Sequence, residues 1–297
     1  MSILNDIVLR TKERIQDKQA AVSLAQIMAM AEQMPVAPDF PFEAALRHGI
    51  SQRTGAALPR GVAVQHSDSP QHGAPATDDL ETERPAFICE VKKASPSKGL
   101  IAADFPYLDI AQAYEEAGAA AISVLTEPFF FLGDDAYLRE IASAVSIPLL
   151  RKDFVVNEYM LYEAKLLGAS AVLLICAILT PEQLAGYIRI ADGLGLSCLV
   201  EAHDEDEVHM ALDAHARVIG VNNRDLHTFT VDLGNSLRLR QLVPQDILFV
   251  AESGISGPDD VDKLRQGGVD AILVGETLMR AQDKKAALAT LRGKARP

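Results

Sequence analysis

Phe87-Ile88-Cys89-Glu90-Val91-Lys92-Lys93-Ala94-Ser95-Pro96-Ser97 reads as a buried strand that runs straight into two lysines, a serine and a proline. A doubly wound open sheet usually follows its first strand with GxGxxG, where a nucleotide's phosphates meet a helix start. Here that pattern is missing. Side chains alternate across a strand, so Glu90 and Lys92 share one face while Cys89 takes the other. An otherwise apolar strand thus ends in an acid and a base that point the same way.

From Phe87 onward the same unit recurs: an apolar run, an amphipathic helical stretch, a glycine break, another apolar run. The breaks are Ala117-Gly118-Ala119, Leu167-Gly168-Ala169, Leu194-Gly195-Leu196 and Gln266-Gly267-Gly268, each a glycine helix stop. Strands are expected around 88–91, 121–125, 149–152, 172–175, 198–201, 219–222, 249–252 and 272–274. They are rich in Val, Ile and Leu and lack polar alternation, as buried parallel strands do. Eight β/α units in about 210 residues fit a closed α/β barrel, a (β/α)8 TIM barrel of roughly 250 residues, better than an open sheet.

Upstream, 3–34 carries helical spacing, with Ile7, Val8 and Ile15 on nearby turns, and 40–48 is a second, short helix. Between them and the first strand, 51–84 is rich in Gly, Pro, Ser, Thr, His and Asp and has no aromatic residue. Such a stretch buries too little apolar surface to offset its ordering entropy, so a flexible insertion is expected. Its His66 and His72 read as solvated loop residues rather than a metal tract. The organisation is therefore an N-terminal helical extension (1–50), the insertion (51–84) and the barrel (85–297), the extension and barrel making one catalytic domain.

The 297 residues are 48% hydrophobic and 23% charged, a soluble globular composition with ample core. With 28 basic against 41 acidic residues the net charge is −13, which repels nucleic-acid backbones without excluding a small anion in a pocket. Cys89, Cys176 and Cys198 sit in apolar runs and read as core hydrophobes. No CxxC or Cys/His cluster suggests zinc, and no metal is expected. The first twenty residues mix charges and lack a signal-peptide core. No apolar stretch is long enough for a bilayer, so a cytoplasmic setting is expected.

Barrel active sites lie at the C-terminal ends of the strands. Parity aligns Leu150, Lys152 and Phe154 on the third strand and Leu199, Glu201 and His203 on the fifth. The sixth ends Gly220-Val221-Asn222-Asn223-Arg224 and the seventh Ala251-Glu252-Ser253-Gly254. Any one of these charges reads equally well as a buried ion pair or a surface group beyond the strand end. Together they converge on one mouth, where burial for stability alone is costly and acid–base chemistry is well served. Glycines in Ser253-Gly254-Ile255-Ser256-Gly257 and Gly275-Glu276-Thr277-Leu278 suit this fold's phosphate site after strands seven and eight. Tight turns are the plainer reading of the same glycines.

At these residues the chain resembles the indole-3-glycerol-phosphate synthases. The matching segments are Glu90-Val91-Lys92-Lys93-Ala94-Ser95-Pro96-Ser97, Ser123-Val124-Leu125-Thr126-Glu127, Leu150-Arg151-Lys152-Asp153-Phe154, Leu199-Val200-Glu201, Asn222-Asn223-Arg224-Asp225-Leu226 and Ala251-Glu252-Ser253-Gly254-Ile255. They run in family order from about residue 85 to 280, and the helical extension also looks like the family's; 51–84 departs from its usual short connection. The resemblance implies decarboxylating, dehydrating ring closure of 1-(2-carboxyphenylamino)-1-deoxyribulose 5-phosphate in tryptophan biosynthesis, with neither cofactor nor metal. It implies Lys152 as general acid, assisted by Lys92 near the phosphate, Glu201 as base or electrostatic partner, and Glu90 and Glu252 holding the lysines. It gives Asn222 and Arg224 to the anthranilate side, with Ser95 near that end, and Ser253, Gly254, Gly275 and the Glu276 amide to the phosphate. Phe129, Phe130 and Phe131 read either as a wall for the aromatic ring or as core. The oligomeric state is expected to be a monomer or weak homo-oligomer, with contact to other tryptophan-pathway enzymes left open.

Two rivals make different demands. A phosphoribosylanthranilate isomerase would want a Cys and Asp pair, but Cys89 has the wrong parity to face Glu90 and Lys92. A catalytically silent phosphate-binding barrel could lose Lys152 or Glu201, and both are present.

Overall fold

The computed structural model describes residues 3–48, 85–225 and 228–293. The stretch expected to be an insertion, with its two histidines, lies outside the described residues, as does Leu226 of the sixth-strand motif.

Eight strands, β1 (Ala86–Val91), β2 (Ala121–Leu125), β3 (Leu149–Lys152), β4 (Ala171–Ile175), β5 (Ser197–Ala202), β6 (Val218–Asn222), β7 (Leu248–Glu252) and β8 (Ala271–Val274), close into a barrel in sequence order. Every neighbouring pair is parallel, and β1 pairs with β8 through Cys89 opposite Val274. All eight expected strands are present. Helices between them include α4 (Tyr107–Glu116), α5 (Asp135–Ala144), α6 (Tyr159–Leu166), α7 (Pro181–Gly193), α8 (Glu205–Asp213), α9 (Gly234–Arg240) and α10 (Pro258–Gln266). After β8 come α11 (Glu276–Arg280) and α12 (Lys284–Leu291).

The glycine stops work through backbone geometry. Gly118 and Gly168 have φ of 83° and 87°, where a Cβ would be strained. There the N–H groups of Ala119 and Ala169 return to Tyr114 O and Ala164 O at 2.9 and 3.0 Å, closing α4 and α6 before the next strand.

Two apolar layers result. Outward residues such as Cys89, Val124, Val172, Val200 and Ile219 pack beneath the helices, while Ile88, Leu150, Leu173, Leu199 and Val250 fill the barrel. The interior cluster includes Ala86, Ala121, Leu248 and Ala271, which start their strands, together with Phe42 and Leu46 of α3 (Pro41–His48). Helix α3 therefore plugs the N-terminal end of the barrel, and the opposite mouth stays free for chemistry. All three cysteines are buried and unpaired.

The N-terminal stretch corrects one expectation. Instead of one helix over 3–34 there are two, α1 (Ile3–Ala21) and α2 (Leu24–Glu32). Ser23 starts the second with a capping box, its hydroxyl accepting from Gln26 N while Gln26 reaches back to Ser23 N at 2.8 Å. Helix α1 buries Leu4, Ile7, Thr11 and Ile15, one stripe of its surface. Arg14 fixes it to Asp153 through two bonds of 2.9 and 2.8 Å, and Lys18 to Asp135 and Glu163.

Candidate active site

At the C-terminal mouth lies a cavity of about 530 Å³. Every residue expected at the site lines it: Glu90, Lys92 and Ser95 from β1 and its loop, Phe131 after β2, Lys152 from β3, and Glu201 from β5. Asn222 follows at the end of β6 and Arg224 just beyond it, Glu252, Ser253 and Gly254 at the end of β7, and Gly275 and Glu276 after β8. Strand parity brings them together, each inner-face charge standing one layer above the apolar filling of the barrel.

Lys152 is the centre. Its Nζ lies 3.0 Å from Glu252 Oε2 and 3.7 Å from Glu90 Oε2. Glu90 also holds Lys92, Oε1 to Nζ 2.6 Å, and accepts from the Ser123 hydroxyl at 3.4 Å. Burial would strip Lys152 of its proton, but Glu252, Glu90 and Glu201 outweigh it and hold the ammonium more firmly than in water. Burial acts on Glu90 too, and the two lysines overcome it, keeping that carboxyl below its usual range. Glu252 goes the other way: burial dominates and Glu201 adds repulsion, so it titrates at about 7 despite Lys152. Three carboxylates around one buried ammonium leave one of them able to hold a proton near neutrality.

Two glycines make room for this cluster. A Cβ on Gly220 would stand 2.3 Å from Glu252 Oε1, and one on Gly275 would stand 2.4 Å from Glu90 Oε1 and 2.9 Å from Lys92 Nζ. Gly220 lies beside Glu201 in the β5–β6 register, so its missing side chain is the space into which Glu252 leans.

Of the glycine turns after β7 and β8, Gly275 lies against Lys92 and Gly254 against Val231 and Leu233. Ser253 and Gly254 both have positive φ, 66° and 82°. The Ser253 conformation is held by Asn223, whose Nδ2 donates to Ser253 O at 3.2 Å while its Oδ1 accepts from Ser236 N and Oγ at 3.0 and 2.8 Å. Glu276 turns its carboxylate away to Arg280 (3.0 Å) and Lys98 (3.5 Å), which keep it ionised. Arg224 is steadied by one bond from Nη1 to Phe229 O at 3.1 Å, and its own N–H donates to Asn222 Oδ1 at 3.1 Å.

Of the three phenylalanines after β2, Phe131 alone lines the cavity, 6.0 Å from Phe154 across tilted rings. Buried Glu127 turns that loop by accepting the N–H groups of Phe129, Phe130 and Phe131 at 2.9, 2.7 and 3.0 Å. Phe129 is left half exposed. Sequence reasoning missed part of the cavity wall: Ile3, Leu4 and Ile7 of α1, and Phe229 and Val231 after β6. The α1 residues carried a signal, the exposed-helix stripe that must cover something apolar.

A closed parallel barrel with a lysine held among carboxylates, an aromatic wall and glycine turns after its last two strands defines a (β/α)8-barrel enzyme. Among solved structures, KGPDC from Streptococcus mutans aligns with a TM-score of 0.55 at 11% identity, over 71% of this chain and 96% of that one, which speaks for the fold alone. Residues 63–291 match the family described as indole-3-glycerol phosphate synthase. The indole-3-glycerol phosphate synthase of Ruminiclostridium cellulolyticum is 50% identical over 293 residues, 99% of this chain and 100% of the relative. That of Leuconostoc mesenteroides is 45% identical over 293 residues, 98% of this chain and 99% of the relative. The chain belongs to the indole-3-glycerol phosphate synthase family. Among the described residues, no helix is long and apolar enough to cross a membrane.

Proposed function

We propose that this chain is a carbon–carbon lyase that converts 1-(2-carboxyphenylamino)-1-deoxyribulose 5-phosphate to indole-3-glycerol phosphate, carbon dioxide and water. The observation that carries the reading is Lys152, a buried ammonium among Glu90, Glu201 and Glu252 at the mouth of a cavity large enough for the substrate. The ring carbon bearing the carboxylate attacks the ribulose carbonyl, and the oxygen must gain a proton as that bond forms. Lys152 supplies it while Glu90 and Glu252 hold the ammonium in place. The ring carbon then expels carbon dioxide and regains aromaticity.

The new alcohol leaves as water with a proton from Lys92 while the lone pair of the ring nitrogen assists. Glu201 stabilises the positive charge on that nitrogen and accepts the proton lost from the neighbouring ring CH2, which completes the indole. Lys92 spans the distance to the phosphate, which Ser253, Gly254, Gly275 and the Glu276 amide receive. Asn222 and Arg224 hold the carboxylate end, for which a guanidinium offers paired donors; Ser95 lies beside them, and Phe131 walls the ring. The ammonium does the work that a metal Lewis acid would otherwise do, so no metal or redox cofactor enters the scheme. The enzyme works in the cytoplasm as a monomer or weak homo-oligomer.

The test is direct: purified protein is given the substrate, and indole-3-glycerol phosphate and carbon dioxide are measured. Equimolar appearance of both is expected. A folded protein that forms neither overturns the reading.

A further inference from the structure

His203 has no role in the scheme above, yet it stands two residues beyond Glu201 on the same side of the chain. It is held from three directions. Its backbone N–H and its ring Nδ1 both meet Glu207 Oε2, at 2.7 and 2.9 Å. Its carbonyl accepts from Asn235 Nδ2 at 3.0 Å. Glu207 is itself fixed in the first turn of α8, where its N–H donates to the capping Asp204 at 2.9 Å.

The remaining ring nitrogen, Nε2, is buried and makes no hydrogen bond among the described residues. It faces Glu201 Oε1 at 3.4 Å. Glu201, for its part, makes no other ion pair among the described residues, while Lys152 is paired with Glu252 and Glu90. The acid and the base of the proposed reaction are thus drawn to different partners. Without an opposing cation, Glu201 would swing to the nearby Lys152 ammonium, and the pair would neutralise each other.

We infer that His203 is a positioning residue, whose Nε2–H holds the Glu201 carboxylate apart from Lys152, with Glu207 anchoring the ring from behind. This rests on the reading of Glu201 as the proton acceptor. The charged groups facing the ring are Glu201 on its own strand, Glu207 on α8 and Glu252 on β7; Cys176, just beyond β4, contacts Glu207 O through its thiol at 3.6 Å. Burial alone would discharge the imidazole, but the hydrogen bond to Glu207 and the field of the three carboxylates raise it to about 9. The ring is therefore cationic at neutral pH and discharges above about 9. A positive neighbour favours the ionised form of a carboxylate beside it, and His203→Gln takes that neighbour away.

The experiment compares kcat and KM from pH 5.5 to 9 for wild type, His203→Gln, Glu207→Gln and Glu201→Gln. His203→Gln should lower kcat about tenfold or more with KM within about threefold, and move the acid limb of the kcat profile up by about one pH unit. Glu207→Gln should move it the same way by less. Ring NMR on the intact wild-type enzyme supplies a readout that needs no histidine variant. The Nε2 proton should be present at pH 7, and Glu201→Gln should lower the pH at which the ring titrates. A His203→Gln enzyme with wild-type kcat and an unmoved acid limb, beside an inactive Glu201→Gln, overturns the positioning role and leaves the Glu201 reading standing. An unchanged ring titration in Glu201→Gln overturns it too. Full turnover by Glu201→Gln brings down the reading of the base itself, and this inference with it.

Discussion

Residues 151–153 set two ionic networks back to back on one strand. Lys152 faces into the mouth, while its neighbours Arg151 and Asp153 face outward beneath the helices. The outer network is balanced. Arg151 donates to Thr126 Oγ1, Met160 O, Asp135 and Glu163 at 3.2, 3.0, 2.9 and 2.6 Å. Asp153 accepts from Arg14, from Thr126 Oγ1 at 2.7 Å and from Phe154 N at 2.8 Å. Arg14, Lys18 and Arg151 stand against Asp135, Asp153 and Glu163, so the charges cancel.

The inner network does not cancel. Glu90, Glu201, Glu207 and Glu252 outnumber Lys92, Lys152 and the His203 imidazolium, and both Glu252 Oε1 and His203 Nε2 are buried without a hydrogen bond among the described residues. Charges that fasten an element are matched in sign, although Arg14 Nε too is buried without a hydrogen bond among the described residues, whereas the charges meant to move protons are left with an acidic excess.

The outer network is the one to break first. Arg151→Met leaves buried carboxylates without their cation and should cost about 3–5 kcal/mol of folding stability, measured by urea denaturation. Stability within about 1 kcal/mol of wild type would mean that the outer cluster fastens nothing. Lys152→Ala, one residue along, should do the reverse. It should lower kcat at least roughly a hundredfold, about 2.7 kcal/mol of barrier, with the fold intact by circular dichroism. Wild-type turnover would remove Lys152 from the chemistry.

Titration sharpens the same contrast. Asp135 is held below its usual 3.8 because Arg151 and Lys18 overcome its burial, so its contribution is full above 3.8 and fades as pH falls below it. Glu252 is raised from 4.5 to about 7, so its contribution is full below 4.5 and is lost as pH rises through 7. The stability gap between wild type and Asp135→Asn should therefore hold from pH 5 to 8. Against Glu252→Gln, wild type should lose ground over that same interval. Two parallel curves would show that the inner and outer carboxylates do not differ in this way. The smallest expected effect is none: excess chelator should leave kcat unchanged, because ammonium protons activate the carbonyl. Activity lost to chelator and restored only by a divalent ion would reverse that assignment.

The inner network was largely legible in the sequence, because a strand alternates with period two and the mouth of a barrel is where its strands end. Glu90 with Lys92, Lys152 with Phe154 and Glu201 with His203 all fall on the expected face. The outer network was not. Arg151 and Asp153 sit in a quoted motif, but Arg14, which pairs with Asp153, and Lys18, which pairs with Asp135 and Glu163, each lie more than a hundred residues from their partners, and periodicity says nothing about distance through space. The break before α2 was written in the chain as Ser23 and Gln26, a capping pair. It was hidden by apolar spacing that continues through Leu24, Ile27 and Ala31. Phe129, Phe130 and Phe131 could not be told apart until Glu127 was seen to bend the loop that carries them.

The fastening of α1 has a consequence for how the molecule is made. The helix is made before its partners, since Asp135, Asp153 and Glu163 follow the residues they hold in it by 117 to 145 positions. At about 5–20 residues per second, that is a wait of roughly 6–29 s. During it, Ile3, Leu4 and Ile7 have no cavity to line, and the helix must stay soluble on the strength of its charged side. The roof of the mouth is thus synthesised before the residues that anchor it and is seated after them, so a chain arrested before α6 would carry the helix with nowhere to put it.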